Sequence, residues 1–494
     1  MNLLLDAIAP VATTGDPSGV EVTGIEHDSR QVGPGDLFCC LPGRATDGHD
    51  HADEAVGRGA VGLVCERPVG KLSRPVVQVR VASARPAMAR LSSALYGDPW
   101  RDLVMVGVTG TNGKTTVAHL VGAVMEHAGR TVSVLGTLSG RRTTPEAPEL
   151  QRTLAGLRDR RRHRRRPTPV VVMEVSSHAL AQGRVDPIRF DVAVFTNLSH
   201  DHLDFHETME GYFGTKASLF TAERADRGVV GAFDRWGRRL LEQAPIPLVA
   251  VSEDQLSGLR LEPGRSTFAW RGQEVTVAMT GAVNARNALL AAETAVAMGM
   301  DPAVVAAGLA TAPPVRGRLE VVAGPGPSGP PFTVLVDYAH TPAALEAVLG
   351  EARRLATTSG GRVGVVFGCG GHRDRAKRPL MGAAATRIAD LAVVTTDNPR
   401  HEDPAAIIEQ VVAGAVPSAP DAMASGRLAV ELDRVEAIGQ ALRWAGRGDV
   451  VVLAGKGHET VQEVGDDRIP LDDAAVARRV LADLGIRPRR LGGR

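Results

Sequence analysis

The sequence predicts an α/β protein of three domains, on two observations. Valine-rich runs alternate almost throughout with alanine- and leucine-rich stretches of helical spacing, the pattern of βαβ units around mostly parallel sheets. The 494 residues also exceed one ordinary core, because domains usually run ~100–200 residues. Turn signals place the divisions. Residues 1–98 form a first block that closes in "YGDPWRD", where a Gly-Asp-Pro turn precedes a strand. Residues 99–319 form the second, ending in "VRGRLE". Residues 320–494 form the third and carry "GPGPSGPP" (Gly324–Pro331), which suits neither helix nor central strand and reads as an exposed turn between two short strands.

Bulk properties exclude several classes. A formal net charge of +1 does not suit a general nucleic-acid binder. The basic run Arg158–Arg166 reads as a solvated helix end. Cys39, Cys40, Cys65 and Cys369 form no CxxC pair, which fits a reducing compartment and gives no zinc frame. The first residues lack a basic leader, and no segment is apolar over a bilayer's width. The expectation is a cytoplasmic monomer with no membrane insertion and no nucleic-acid partner.

In the second block, the strand Leu103–Val108 runs into "GVTGTNGKTT" (Gly107–Thr116) and a helix from about Lys114. Such a corner aims backbone N–H groups and a helix dipole at one anion. Gly110 and Gly113 permit close approach of phosphates, Lys114 meets the terminal phosphates, and the Thr115 hydroxyl reaches Mg²⁺. The loop differs from the usual phosphate-loop pattern, with Val108 at the place of its first glycine. The strand Val170–Met173 then delivers Glu174, and "FTNLSHDHLDFH" supplies His200, Asp201, His202, Asp204 and His206. Parallel strands bring such carboxyl-end residues to the sheet edge that holds the phosphate loop. Glu174 and a histidine suit Mg²⁺; zinc is the rival, without a thiolate or HExxH spacing.

"GVTGTNGKTT", "MEVSSHAL", "TNLSHDHLD" and "GYFGTKASLF" resemble the Mur ligase superfamily of ATP-dependent amide-forming enzymes. "GAVNARNALLAA", "VRGRLE", "VDYAHTP", "FGCGGHRDRAKRPLM", "TTDNPRHEDP" and "AGKGHETVQ" are similar to its branch that extends UDP-N-acetylmuramoyl-L-alanyl-D-glutamate by one amino acid in peptidoglycan precursor synthesis. The family signature TGTNGKT(S/T) has no need of the earlier glycine. The resemblance implies a central P-loop-type sheet, a Rossmann-like C-terminal amino-acid domain and a smaller α/β N-terminal domain for the UDP end. It implies phosphorylation of the D-Glu γ-carboxylate to an acyl phosphate, which an amine then attacks.

The resemblance also assigns residues. Gly110, Thr111, Asn112, Gly113, Lys114, Thr115, Thr116, Asn284, Asn287 and Arg318 would meet ATP. Thr115, Glu174, His202 and Lys216 as a carbamate would support Mg²⁺, and Asp337 joins Lys114, Lys216 and His202 in catalysis. On its own sequence context Lys216 reads as a helix-surface lysine. A carbamate needs a neutral amine, so the site must depress that lysine's pKa. Ser29 and Arg30 would meet the UDP end; Thr143, Thr144, Ser176, Gln182 and Arg184 would hold the muramoyl dipeptide.

"DNPR" follows the strand Leu391–Thr395. Pro399 fixes its own φ and extends Asn398, so Arg400 stands on a stiff turn. An arginine fork binds a carboxylate bidentately. The resemblance makes DNPR the version that selects meso-diaminopimelate, with Arg373, Asp397, Asn398, Pro399, Arg400, Gly455 and Glu459 around it. A lysine-adding or other Mur-type ligase, folylpolyglutamate synthase included, is the alternative; a nucleotide-binding protein without ligase activity is more remote. Departures from the family pattern are His27, Arg142, Val283, His372 and "VVGAFDRWG".

Overall fold

A computed structural model describes residues 1–43, 46–140, 142–164, 167–325 and 329–486, with side chains from 161 to 164 left aside. The first unit holds five strands: β1 (Ala12–Thr14), β2 (Gly24–Glu26), β3 (Asp36–Cys39), β4 (Gly62–Cys65) and β5 (Val77–Arg80). They order β1-β5-β4-β3-β2, parallel except at β1. The helix Ala84–Leu95 covers this sheet and packs on the helix Ala147–Arg164 of the next unit.

The second unit has six strands: β6 (Val104–Thr109), β7 (Val132–Leu135), β8 (Val170–Glu174), β9 (Val192–Phe195), β10 (Gly228–Gly231) and β11 (Leu248–Val251). All neighbours pair in parallel, in the order β11-β10-β9-β6-β8-β7. Strands β6, β8 and β9 lie inside the sheet with a helix layer on each face, which explains their unbroken apolar runs. Valine and isoleucine suit this pleated, buried surface. A three-stranded antiparallel sheet of β12 (Ser257–Glu262), β13 (Arg265–Trp270) and β14 (Gln273–Val277) closes one side.

In the third unit, β15 (Glu320–Ala323), β16 (Thr333–Asp337), β17 (Val363–Phe367), β18 (Leu391–Val394), β19 (Leu428–Val430) and β20 (Val450–Ala454) order β15-β16-β20-β17-β18-β19. Only β15 runs antiparallel. The hairpin β21 (Val461–Val464) and β22 (Asp467–Pro470) follows β20. The Gly/Pro stretch joins the antiparallel pair β15 and β16, as expected of a turn; its residues 326–328 lie outside the described ones.

Three local readings shift. The strand read as Leu103–Val108 is Val104–Thr109, and Thr395 falls after β18. The basic run is not wholly solvated: Arg158 is mostly buried and donates from Nη1 to the carbonyls of Tyr96 at 2.7 Å and Gly97 at 3.2 Å, tying the first two units together. Its side chains from 161 onward lie outside the described residues. Among the described residues no helix is long and apolar enough to cross a membrane.

Candidate active site

Strand register places the chemistry. Val108 pairs with Glu174 and Thr109 with Phe195, so the loop after β6, the carboxylate ending β8 and the segment after β9 share one sheet edge. Gly110 (φ +141°) and Gly113 (φ +84°) take backbone conformations that side chains rarely adopt. A Cβ at Gly113 would sit 2.5 Å from Asn287 Oδ1. Asn287 thus packs against the loop, and its Nδ2 donates to Asn284 Oδ1 at 3.3 Å. Thr196 and Asn197 both donate to the Asn112 carbonyl, at 2.6 and 3.0 Å. The Thr111 hydroxyl lies 3.2 Å from Tyr212 Oη.

The helix Lys114–His127 starts at this turn. Lys114 Nζ donates to the carbonyls of Gly110 and Thr111, at 2.9 and 2.8 Å. Burial lowers its pKa, while Glu174 and Asp201 pull it back up. The Thr115 hydroxyl donates to Glu174 Oε2 at 3.0 Å. Glu174 is buried and also accepts from Thr137, through the amide at 2.8 Å and the hydroxyl at 3.2 Å. These oxygens suit Mg²⁺, which is commonly held by one or two carboxylates and completes its octahedron with water and phosphate oxygens. Among the described residues no group of three or more His, Cys, Asp or Glu side chains is placed to hold a metal ion.

Lys216 is buried, contrary to the surface position that its sequence context alone suggests. Its Nζ donates to the Gly110 carbonyl at 2.8 Å and lies 4.7 Å from the Tyr212 ring centroid. Burial, then the nearby Lys114 charge, push its pKa well below the usual lysine range. His202 has φ +54°, and its Nε2 lies 3.4 Å from Asp201 Oδ2. Its ring meets His178 edge-on at 4.8 Å. Burial is the main reason that its pKa falls to about 3.

The predicted dipeptide residues converge beside Glu174. The Thr144 hydroxyl donates to the Glu174 carbonyl at 2.8 Å, and the Ser176 amide donates back to that hydroxyl at 3.0 Å. Thr143 Oγ1 lies 3.1 Å from Thr137 Oγ1. Arg184 donates to the Thr144 carbonyl at 3.2 Å and to Gln182 Oε1 at 2.7 Å. Glu146, buried and absent from the sequence-derived set, faces Arg142 at 2.7 Å, Arg184 at 3.0 Å and Arg85 at 3.7 Å. His27 senses the same charges, so two departures from the family pattern, His27 and Arg142, share one cluster. Ser29 and Arg30 stand apart in the first unit. Ser29 donates to Glu54 at 2.7 Å, and the exposed Arg30 forks onto Asp28 at 2.9 and 2.8 Å.

Contacts lead from the phosphate loop into the third unit through Arg318, just before β15. Arg318 Nη2 donates to Thr115 Oγ1 at 3.1 Å, and its guanidinium lies 4.8 Å from the Tyr338 ring centroid. Asp337 accepts the amides of Leu319 at 2.7 Å and Ala339 at 2.8 Å, which fixes the end of β16. Burial raises its pKa. Tyr338 Oη donates to Glu459 at 3.4 Å, and Asn398 Nδ2 donates to Glu459 Oε2 at 2.8 Å. Contacts therefore run without a break from Thr115 to the Asp397–Arg400 turn. Gly455 (φ +109°) brings the backbone past Asp397, whose Oδ2 would lie 3.7 Å from a Cβ there. Arg400 Nη1 donates to the Gly371 carbonyl at 2.8 Å. A Cβ on Gly370 would lie 3.2 Å from Arg400 Nη1 and 3.7 Å from Arg373 Cγ, so both arginines flank that glycine.

Sequence reasoning missed Lys456. It is fully buried and donates to Asn398 Oδ1 at 3.0 Å, Glu459 Oε2 at 3.1 Å and the Val461 carbonyl at 2.7 Å. Its place between two glycines in "AGKGHE" was the available signal. Lys377 and His340 were missed as well. They help to hold the Asp201 carboxyl below its usual range, across the boundary between units.

Residues 21–96 match the family model described as Mur ligase family, catalytic domain; residues 108–295 match the Mur ligase middle domain; residues 317–457 match the Mur ligase glutamate ligase domain. The UDP-N-acetylmuramoyl-L-alanyl-D-glutamate–2,6-diaminopimelate ligase of Geobacillus thermodenitrificans is 43% identical, over 94% of this chain and 95% of its own. The ligase of the same name from Streptomyces avermitilis is 42% identical, over 93% and 92%. A solved structure of a ligase of that name superposes with a TM-score of 0.61 at 29% identity, covering 94% of this chain and 95% of its own. With relatives this similar along nearly its whole length, the chain belongs to the Mur ligase family.

Proposed function

We propose that this enzyme ligates meso-diaminopimelate to the D-Glu γ-carboxylate of UDP-N-acetylmuramoyl-L-alanyl-D-glutamate, with ATP converted to ADP and phosphate. The observation that carries the reading is the contact path Thr115–Arg318–Tyr338–Glu459–Asn398, which joins a phosphate-binding helix end to the DNPR turn. Two sites serve one reaction only if they open on one cleft. In this reading residues 1–98 seat the UDP end, 99–319 bind ATP and 320–494 bind the amine.

The loop amides of Gly110 to Gly113 and the helix dipole receive the phosphates. Lys114, freed from the two loop carbonyls that it now meets, turns its charge to the terminal phosphate. Arg318 adds positive charge from the other wall. The γ-phosphoryl group passes to a carboxylate oxygen, giving an acyl phosphate and ADP. The neutral amine attacks the acyl carbon, a tetrahedral intermediate forms, phosphate leaves, and the nitrogen loses its proton as the amide forms. Preorganised charges matter most where anionic charge develops. Thr115 and Glu174 would hold Mg²⁺, with His202 as the proposed third contact; its chemistry is to neutralise phosphate oxygens during transfer. Lys216, buried and with its pKa depressed, favours the neutral amine that CO₂ needs: the C–N bond would form, one proton would leave, and a carbamate anion would result.

Arg400 selects the amine through the distal carboxylate of diaminopimelate, which lysine lacks. A buried polar site left unpaired can discriminate by ~10⁴–10⁵. The test is phosphate release from ATP with the UDP-muramoyl dipeptide and diaminopimelate, lysine or no amine. Release that depends on diaminopimelate supports the reading. Equal rates with lysine would defeat the selectivity, and release independent of any amine would defeat ligation.

A further inference from the structure

Arg400 has a second neighbour that the DNPR motif does not contain. Its Nε lies 3.1 Å from Glu463 Oε2, on the hairpin that follows β20. The backbones are joined as well. The Arg400 amide donates to the Glu463 carbonyl at 3.0 Å, the Gly465 amide donates to the Arg400 carbonyl at 2.6 Å, and Arg400 bridges Val464 in parallel register. Arg400 itself has φ +53°, a conformation that a non-glycine residue holds only when its surroundings fix it. The hairpin is that fixture. The guanidinium is thus held at two points, Nη1 on the Gly371 carbonyl and Nε on the Glu463 carboxylate, and Nη2 makes no hydrogen bond among the described residues.

Resting on the reading that Arg400 takes the distal carboxylate of diaminopimelate, we propose that Glu463 is a positioning residue for amine specificity: it pins the Nε edge of Arg400 so that the Nη2 side faces the substrate. Arginine loses considerable rotamer freedom when fixed, and an acceptor that fixes it beforehand lowers the cost of binding. The ion pair is partly exposed, at 24% and 39% for the two side chains, so it adds little to stability. Its effect belongs in substrate binding.

Steady-state phosphate release with the UDP-muramoyl dipeptide and ATP, titrated with diaminopimelate, tests this. Glu463→Ala should raise KM for diaminopimelate about three- to fivefold, with kcat and the KM values for ATP and dipeptide unchanged. Glu463→Gln, which keeps the length of the side chain but removes the charge that makes the contact, should be impaired like Ala. An unchanged KM in Glu463→Ala would overturn the assignment. So would a lowered KM, which would mark Glu463 as a competing anion, or a Gln variant with the KM of the unsubstituted enzyme. If the unsubstituted enzyme shows no release that depends on diaminopimelate, the parent reading falls and takes this one with it. Normal wild-type dependence with an unaltered Glu463→Ala defeats Glu463 alone.

Discussion

Arg318 Nη2 donates to Thr115 Oγ1 at 3.1 Å, so the segment that leads into the third unit touches the first turn of the phosphate-binding helix. The same hydroxyl donates to Glu174. One threonine therefore couples the proposed metal carboxylate to the interface between units.

Arg318→Ala should break that coupling. Charge-assisted hydrogen bonds contribute ~1.5–3 kcal/mol, so kcat/KM for ATP should drop about ten- to hundredfold. The thermal midpoint should hardly move, because the guanidinium is only partly buried and anchors no core. Kinetics with ATP varied, beside a melting curve, checks both. A full-strength variant would show that the arginine does not act on the nucleotide.

Lys216→Ala should lose most turnover, and added formate or acetate should restore part of it by supplying the missing anion. The reasons are the burial of the Nζ, its contact with Gly110 in the phosphate loop, and the depressed pKa that favours the neutral amine. Mass spectrometry under CO₂ tests for the adduct directly. Undiminished activity in Lys216→Ala would count against a carbamate.

These two residues mark what the sequence makes legible. The loop Gly110–Thr116, the strand ending at Glu174 and the DNPR turn could be read because each is a local pattern whose chemistry lies within a few residues. The parallel sheet was equally legible, since β6, β8 and β9 carry the apolar runs of strands buried on both faces. The burial of Lys216 was not. A lysine on a short helix is ordinarily exposed, and only the packing of Met209–Ala217 against the phosphate loop hides it. Lys456 and Glu463 escaped for a related reason: their partners Asn398 and Arg400 lie about 60 positions away, and only the fold brings them together.

Arg400→Lys should keep ATP binding and lose turnover at low diaminopimelate. Lysine offers a point charge where a fork is needed, and it cannot hold Gly371 and Glu463 while meeting a substrate carboxylate. KM for diaminopimelate should rise about ten- to hundredfold, the worth of one charge-assisted contact. Titration calorimetry with an ATP analogue and amine-dependent kinetics separate the two effects. Unchanged turnover at low amine would remove Arg400 from substrate recognition.

Arg434 and Asp473 form an ion pair with both side chains fully buried, Nε to Oδ1 at 2.8 Å and Nη2 to Oδ2 at 2.6 Å. Nη2 also donates to the Ala454 carbonyl at 2.9 Å, the last residue of β20 before Gly455. Removing one partner of such a pair leaves an uncompensated charge, which costs ~3–5 kcal/mol. Asp473→Ala should lower the urea midpoint accordingly. It should also raise KM for diaminopimelate, since Arg434, no longer held by Asp473, grips the Ala454 carbonyl beside Gly455 less firmly. Arg434→Met with Asp473→Leu removes both charges and should regain most of the stability, because a buried pair contributes little net free energy once its desolvation is counted. That double variant should still bind diaminopimelate weakly, as the hydrogen bond to Ala454 is gone. If it bound normally, the pair would be a matter of packing alone, with no part in shaping the amine site.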